Sequence, residues 1–336
     1  MAAASPSTEE LRSDMTLASK LARSATTSSA ASGSGVRLVY STIPSWPFST
    51  SSSRQTTHRK EDMDNTIDIA LLDSSFNPPS RAHFALLLSP PILAQNKPSY
   101  DGHLLLFSTQ NADKGTGKPG DASPSQRIEM MTLMAKDVER IQTAEGHSAN
   151  VAVGLVDKPL IFSKSTLTWD LLKAQQQEGH DKAKARLHWL VGFDTLYRVF
   201  QLKYYPSLAE FQQQCSQFFE REGTTFVCAR RDPSSYPQLA SQQKGEEGKS
   251  VEEVAREQED RLLQSENVAP WVQKGSVGMF DLDPDQAKLS STKIRTLLKD
   301  RCMHVDKKRK QLESLVPPSL VKYLLESRVY QHDLKS

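Results

Sequence analysis

From residue 67 onward, short apolar runs alternate with segments of helical period, and this alternation constrains the fold more than any other feature. Ile67–Leu72 (IDIALL) ends in the turn residues Asp73-Ser74-Ser75 and reads as a buried strand. His103–Phe107, Val151–Val156, Leu187–Val191, Thr225–Ala229 and Ser276–Phe280 share that texture. Helices are expected between them. Ser123-Pro124-Ser125-Gln126 is a capping box with proline at the first helical position, ahead of a stripe of Ile128, Met131, Met134, Val138 and Ile141. Ser207–Glu210 is a second capping box, ahead of Phe211, Cys215 and Phe218. Strands alternating with helices need crossover connections, so the expected class is α/β: a doubly wound, mostly parallel sheet covered on both faces.

Several segments depart from the pattern. Pro90-Pro91 must break the helix that begins near His83, because proline lacks the N–H donor and clashes with the preceding turn. Residues 232–270 are polar and charged, and read as a solvated insertion with one short helix between Val251 and Leu263. Lys307–Lys310 (KKRK) reads as a solvated loop or as a nuclear address.

The first 60 residues hold 23 Ser or Thr and three acids, a composition that buries too little apolar area to offset the entropy of ordering. Residues 1–65 are therefore expected to be a low-complexity, largely disordered extension. Within it, an amphipathic Met15–Arg23 and an apolar Val36–Phe48 stand out as pieces able to pack on the main domain, residues 66–332, as a helix and an extended arm. A Ser-rich, acid-poor N-terminus also reads as an organellar transit peptide, against which stand Glu9, Glu10 and the sparse arginines.

Composition removes other classes. Lys and Arg number 42 against 40 acids, a balance unlike the concentrated positive field of a dedicated nucleic-acid binder. No run approaches the roughly 18 consecutive apolar residues of a membrane span. Cys215, Cys228 and Cys302 are too few and scattered for a disulfide framework or a thiolate zinc site. The expectation is a soluble protein of the cytoplasm or nucleus, with the mitochondrion as the alternative, and with protein partners engaged through the extension or the insertion.

Ligands of open α/β sheets bind at the carboxyl ends of strands, where the topology reverses. The first strand ends in Asp73-Ser74-Ser75-Phe76-Asn77-Pro78-Pro79-Ser80-Arg81-Ala82-His83. This turn delivers N–H groups and a histidine to a helix start, an anion site by dipole and unpaired donors. It reads equally as a turn and cap with an incidental His83. Leu289-Ser290-Ser291-Thr292-Lys293-Ile294-Arg295 opens a helix after the last strand. Its hydroxyls either cap that helix or, with Arg295 one turn on, hold a polyphosphate.

Taken together, SSFNPPSRAH and LSSTKIR resemble the two signature motifs of the nicotinamide-nucleotide adenylyltransferases, GSFNP-x-(H/T)-x-x-H and ISSTxxR, within the paired-histidine nucleotidyltransferases. The resemblance extends to Asn111-Ala112-Asp113-Lys114-Gly115, to the helix start Pro124–Arg127 and to Gly192-Phe193-Asp194, over roughly residues 67–330. It is nearest a divergent eukaryotic branch. Two departures stand out: Ser80 replaces the first histidine of the pair, where some active members have threonine, and Ser74 replaces a glycine beside the ligand.

The resemblance implies a Rossmann-like nucleotidyltransferase fold and a reaction joining nicotinamide mononucleotide and ATP, with Mg²⁺, into NAD and pyrophosphate. His83 and Arg295 would be catalytic, with His83 stabilising charge on the ATP phosphates. Ser290, Ser291, Thr292 and Arg295 would hold the leaving pyrophosphate. Ser75, Phe76 and Asn77 would line the mononucleotide and phosphate pocket, largely through backbone groups, with Ser74, Ser80 and Gly192 also in the substrate site. Lys114 would meet the mononucleotide phosphate or else be solvated, and Asp194 would accept hydrogen bonds from the adenosine ribose or else cap the following helix. Trp169 is a candidate to stack on the nicotinamide ring or else a core residue, and Arg230 or Arg231 is a candidate for ATP contact. No protein-held metal is expected. The alternatives are a relative acting on another phosphorylated acceptor, and a catalytically weak nucleotide-binding or interaction protein.

Overall fold

Thr66–Asp73 (β2), Gly102–Ser108 (β3), Val151–Val156 (β4), Lys184–Gly192 (β5), Thr225–Arg230 (β6) and Val277–Asp281 (β7) form the parallel part of a seven-stranded sheet, which Arg37–Ser41 (β1) completes at one edge. The computed structural model describes residues 6–27, 35–48, 65–94, 97–109, 120–179, 183–230, 250–327 and 329–330. The strand order is β1-β4-β3-β2-β5-β6-β7, and only β1 runs antiparallel to its neighbour. From β2 the chain steps outward through β3 to β4, then returns to the other side of β2 at β5. Direction therefore reverses between β2 and β5, and a crevice opens outside their carboxyl ends.

Alternate residues of each strand enter opposite layers, as strands covered on both faces require. Ile69, Leu71, Leu104 and Leu106 pack in one cluster with Trp189 and Phe226, while Ala70, Leu72, Leu105 and Phe107 pack in the other with Met131 and Met134. The expected capping box at Ser123 is present and opens Pro124–Ala144 (α3). This helix faces the sheet through Ile128, Met131, Met134 and Val138. Its Met130 and Leu133 meet a third cluster built by the C-terminal helices Ser291–Lys299 (α10), Val305–Leu315 (α11) and Pro318–Glu326 (α12). Asp68, near the amino end of β2, is buried. Burial favours its protonation, yet hydrogen bonds from His188, Arg186 and Lys97 hold its carboxyl well below the usual range.

Within the N-terminal extension, the two pieces singled out in the sequence pack on the main domain as a helix and an extended arm. Thr8–Thr27 (α1) is a helix of 20 residues that lays Leu11, Ala18, Ala22 and Ala25 against the domain, and Asp14 pairs with Arg140 of α3. β1 adds to the free edge of β4, with Leu38 opposite Gly154, and the following turn drops Trp46 and Phe48 into the core. Asn150 fastens that turn by donating from Nδ2 to the Pro47 carbonyl at 2.9 Å. The helix runs longer than its amphipathic stretch, and the arm's strand takes its hydrogen bonds from β4, a partner distant in sequence.

Two further expectations are corrected by packing. The KKRK run lies inside α11 rather than in a loop. Its Lys308 is buried and donates to the carbonyls of Leu298 at 3.3 Å and Asp300 at 2.6 Å, satisfying the C-terminus of α10. The helix Val251–Leu263 (α7) of the insertion is present, but it is docked through Ala255, Gln258, Glu259 and Leu262 rather than solvated on all sides. Ser207 caps Leu208–Ser216 (α6) by accepting from the Glu210 N–H at 3.2 Å. Among the described residues, no helix is long and apolar enough to cross a membrane.

Candidate functional site

The crevice at the β2/β5 reversal holds a cavity of about 630 Å³. Ser74, Ser75, Asn77, Ser80 and His83 line it from the loop after β2 and from Arg81–Leu87 (α2); Gly192 and Asp194 line it from the start of Phe193–Val199 (α5). Ser290, Ser291, Thr292 and Arg295 line it from the start of α10. Eleven of the residues singled out from sequence thus line one cavity, because the loops after β2 and β5 and the start of α10 converge at the reversal.

The loop after β2 carries backbone strain. Phe76 has φ +44, in the left-handed region that a bulky residue rarely enters, at a cost of order 1–3 kcal/mol. Its ring is fully buried, and arginines grip the carbonyls on either side. Arg127 Nη1 donates to the Ser75 carbonyl at 3.3 Å, and Arg295 Nη1 donates to the Asn77 carbonyl at 2.6 Å. Phe76 therefore acts as an anchor beneath the cavity rather than as part of its lining. Asn77 fixes the next position. Its Oδ1 accepts from the Ala122 N–H at 3.0 Å and the Tyr330 hydroxyl at 2.9 Å, which leaves Nδ2 to donate to Asp121 at 2.6 Å.

His83 is held from both ends of its ring. Nδ1 lies 3.1 Å from the Ser80 backbone nitrogen and 2.8 Å from Ser80 Oγ, and Nε2 lies 2.9 Å from Ser74 Oγ. Ser80 caps α2, accepting from the His83 N–H while His83 reaches back to the Ser80 backbone. This is the reciprocal arrangement of a capping box, with histidine where glutamate or glutamine is usual.

At the far motif, Ser290 caps α10 by accepting from the Lys293 N–H at 3.3 Å, Ser291 Oγ donates to the Pro78 carbonyl at 2.8 Å, and Thr292 Oγ1 accepts from Arg295 Nη2 at 3.2 Å. The hydroxyls that order the helix start thus also line the cavity.

Sequence reasoning passed over three cations of the same cavity: Arg127, Lys164 and Arg198. Each faces a carboxylate: Arg127 with Asp121 at 3.5 Å, Lys164 with Asp73 at 2.5 Å, Arg198 with Asp194 at 3.6 Å. Burial lowers the Arg127 pKa from its ordinary value, opposed by Asp121. With Arg295, four permanent cations face three carboxylates, a surplus that suits a polyanion. Arg127 was visible as part of the Pro124–Arg127 helix start; Lys164 had no signal beyond its position one turn into a helix.

Other candidates lie elsewhere. Trp169 is away from the cavity lining and donates from Nε1 to Thr224 Oγ1 at 2.9 Å, packed against the core. Arg230 is likewise outside the lining, paired with Glu259 at 2.7 Å and Asp281 at 3.4 Å. Lys114, with the rest of Asn111–Gly115, and Arg231 lie outside the described residues. The same residues contain no cluster of three or more His, Cys, Asp or Glu able to hold a metal ion.

No family model matches the chain. One curated relative does. It is a Schizosaccharomyces pombe protein provisionally named a nicotinamide mononucleotide adenylyltransferase, 35% identical over 151 residues, which are 45% of this chain and 49% of that protein. The chain thus matches about half the length of this curated relative. Two solved structures of Plasmodium falciparum nicotinic acid mononucleotide adenylyltransferase, one complexed with NaAD and one with APC, cover 80% of this chain and 100% of theirs. Their identities are 16% and 14%, and their TM-scores 0.41 and 0.40.

Proposed function

We propose that the chain is a mononucleotide adenylyltransferase, which joins a pyridine mononucleotide to ATP and releases pyrophosphate. One observation carries the reading most. Two motifs 218 positions apart meet at the switch-point cavity through the Arg295–Asn77 and Ser291–Pro78 hydrogen bonds, and the cavity they enclose has a surplus of cations. The name of the fission-yeast relative supports the same activity.

In this reading an oxygen of the mononucleotide 5′-phosphate attacks the α-phosphorus of ATP, and the bond from that phosphorus to the bridging oxygen of the β-phosphate breaks. Pyrophosphate leaves with the bonding electrons. The attacking phosphate is already ionised near neutral pH, so positioning and charge stabilisation supply the acceleration rather than a general base. His83 faces the charge that develops at the α-phosphate, and Arg295 with the hydroxyls of Ser290 and Thr292 steadies the departing pyrophosphate, while Ser291 holds the Pro78 carbonyl. The surrounding cations are already partnered by Asp73, Asp121 and Asp194, so these carboxylates are poor candidates for a protein-held ion. Their engagement fits a Mg²⁺ that arrives bound to ATP and neutralises phosphate charge.

The substrate pair we propose is ATP with nicotinamide mononucleotide, and the nicotinate form is the competing acceptor. The test is dinucleotide formation by the purified protein given ATP, Mg²⁺ and each mononucleotide in turn, with His83→Ala alongside. Steady turnover that drops at least a hundredfold in the variant supports the reading. No dinucleotide from either acceptor overturns it.

A further inference from the structure

Resting on the reading above, we propose that Ser74 is a phosphate-binding residue, and that His83 acts on the ATP phosphates through its hydroxyl. The backbone N–H of Ser80 is an obligate donor, and it points at Nδ1 of His83 from 3.1 Å. Nδ1 must therefore accept, so in the neutral ring the proton resides on Nε2. That nitrogen faces Ser74 Oγ at 2.9 Å and donates to it. A hydroxyl whose oxygen accepts from Nε2–H keeps its own proton to donate, and Ser74 stands in the cavity wall.

The backbone of Ser74 is unable to substitute. Its N–H is committed to the Leu106 carbonyl at 3.3 Å, extending the β2–β3 ladder one residue past the strand. What Ser74 presents to a phosphate is therefore its side chain. The two departures from the family pattern then form one device. Ser80 sets the tautomer of His83, His83 sets the direction of the Ser74 hydroxyl, and that hydroxyl meets the ligand. A resembling protein with glycine at position 74 has no such oxygen, so its histidine would meet the phosphate itself.

The test uses the full chain, ATP without an acceptor, and calorimetric dissociation constants for wild type, Ser74→Ala, His83→Ala and the double variant, with melting curves as the control for folding. Ser74→Ala is expected to weaken ATP about tenfold, His83→Ala by a similar factor, and the double variant no more than the worse single one, because the two groups act in series. In ¹⁵N-histidine spectra of the wild type, His83 is expected to show the Nε2–H tautomer. Wild-type ATP affinity in Ser74→Ala, losses that multiply in the double variant, or an Nδ1–H tautomer would each overturn the proposal. A protein that binds ATP in this pattern yet makes no dinucleotide refutes the proposed reaction and leaves Ser74 as the phosphate contact.

Discussion

Tyr330, close to the end of the chain, donates its hydroxyl to the side-chain oxygen of Asn77 across 2.9 Å, in the loop that follows the first parallel strand. The pair is buried, and it ties the C-terminal helices to the floor of the cavity. Tyr330→Phe removes this donor and leaves Asn77 Oδ1 with the Ala122 N–H alone. A loss of about 1 kcal/mol in unfolding free energy is expected from denaturant titration. In the dinucleotide assay, the KM of the mononucleotide should rise with kcat little changed. A variant as stable as wild type would show that Asn77 is held without Tyr330.

Lys308 and its neighbours separate a structural cation from solvated ones. Lys308→Met deprives the Leu298 and Asp300 carbonyls of their charged donor, and should cost roughly 1–3 kcal/mol of stability. Lys307→Ala and Lys310→Ala are exposed changes expected to stay within about 0.5 kcal/mol. Equal effects at all three positions would mean the capping bond contributes nothing.

The N-terminal arm belongs to the core. Trp46→Ala is expected to cost about 3–5 kcal/mol, as truncation of a fully buried tryptophan does elsewhere. A chain starting at residue 49 lacks β1 as well as Trp46 and Phe48, and should be recovered mainly as aggregate because the apolar edge of β4 is uncovered. A soluble, cooperatively melting chain of that length would refute the assignment of the arm to the core.

His103 makes stability depend on acid. Burial pushes its pKa down to about 4 from 6.5, while its Nδ1 takes a hydrogen bond from the Gln142 amide. Between those pH values the unfolded chain binds a proton that the folded chain does not, so stability falls as the pH drops through this window. The drop amounts to roughly 3 kcal/mol at full protonation of the unfolded state. Urea midpoints measured from pH 7 to pH 4 should decline more steeply in the wild type than in His103→Asn. Parallel profiles would show that the histidine titrates alike in both states.

The parallel strands were legible because a strand buried on both faces is a continuous apolar run, and each was placed within three residues of its observed ends. β1 and the middle of α1 were legible as an apolar arm and an amphipathic stretch, but not their partners, since β4 and α3 lie far along the chain. In the cavity, the motif residues Asn77, His83, Ser291 and Arg295 were legible by kind, but their partners were not. Arg127 reaches the loop from α3 and Tyr330 from the turn after the last helix, and no spacing in the chain encodes that reach. The cap at Ser80 was one reading of the segment, but the part His83 plays in it was not legible, because capping boxes are sought with glutamate or glutamine at the third helical position. For Trp169 the sequence left stacking and core packing open, because an aromatic on a helix looks alike whether it faces a ligand or a threonine; the core reading is the one the structure shows.

The pairing of β1 with β4 also bears on how this protein must be made. Leu38 leaves the ribosome more than a hundred residues before its partner Gly154, an interval on the order of ten seconds at ordinary translation speeds. Throughout it, Trp46 and Phe48 have no finished core to enter. The segments that flank the arm, rich in serine and threonine, add little apolar surface to that exposure.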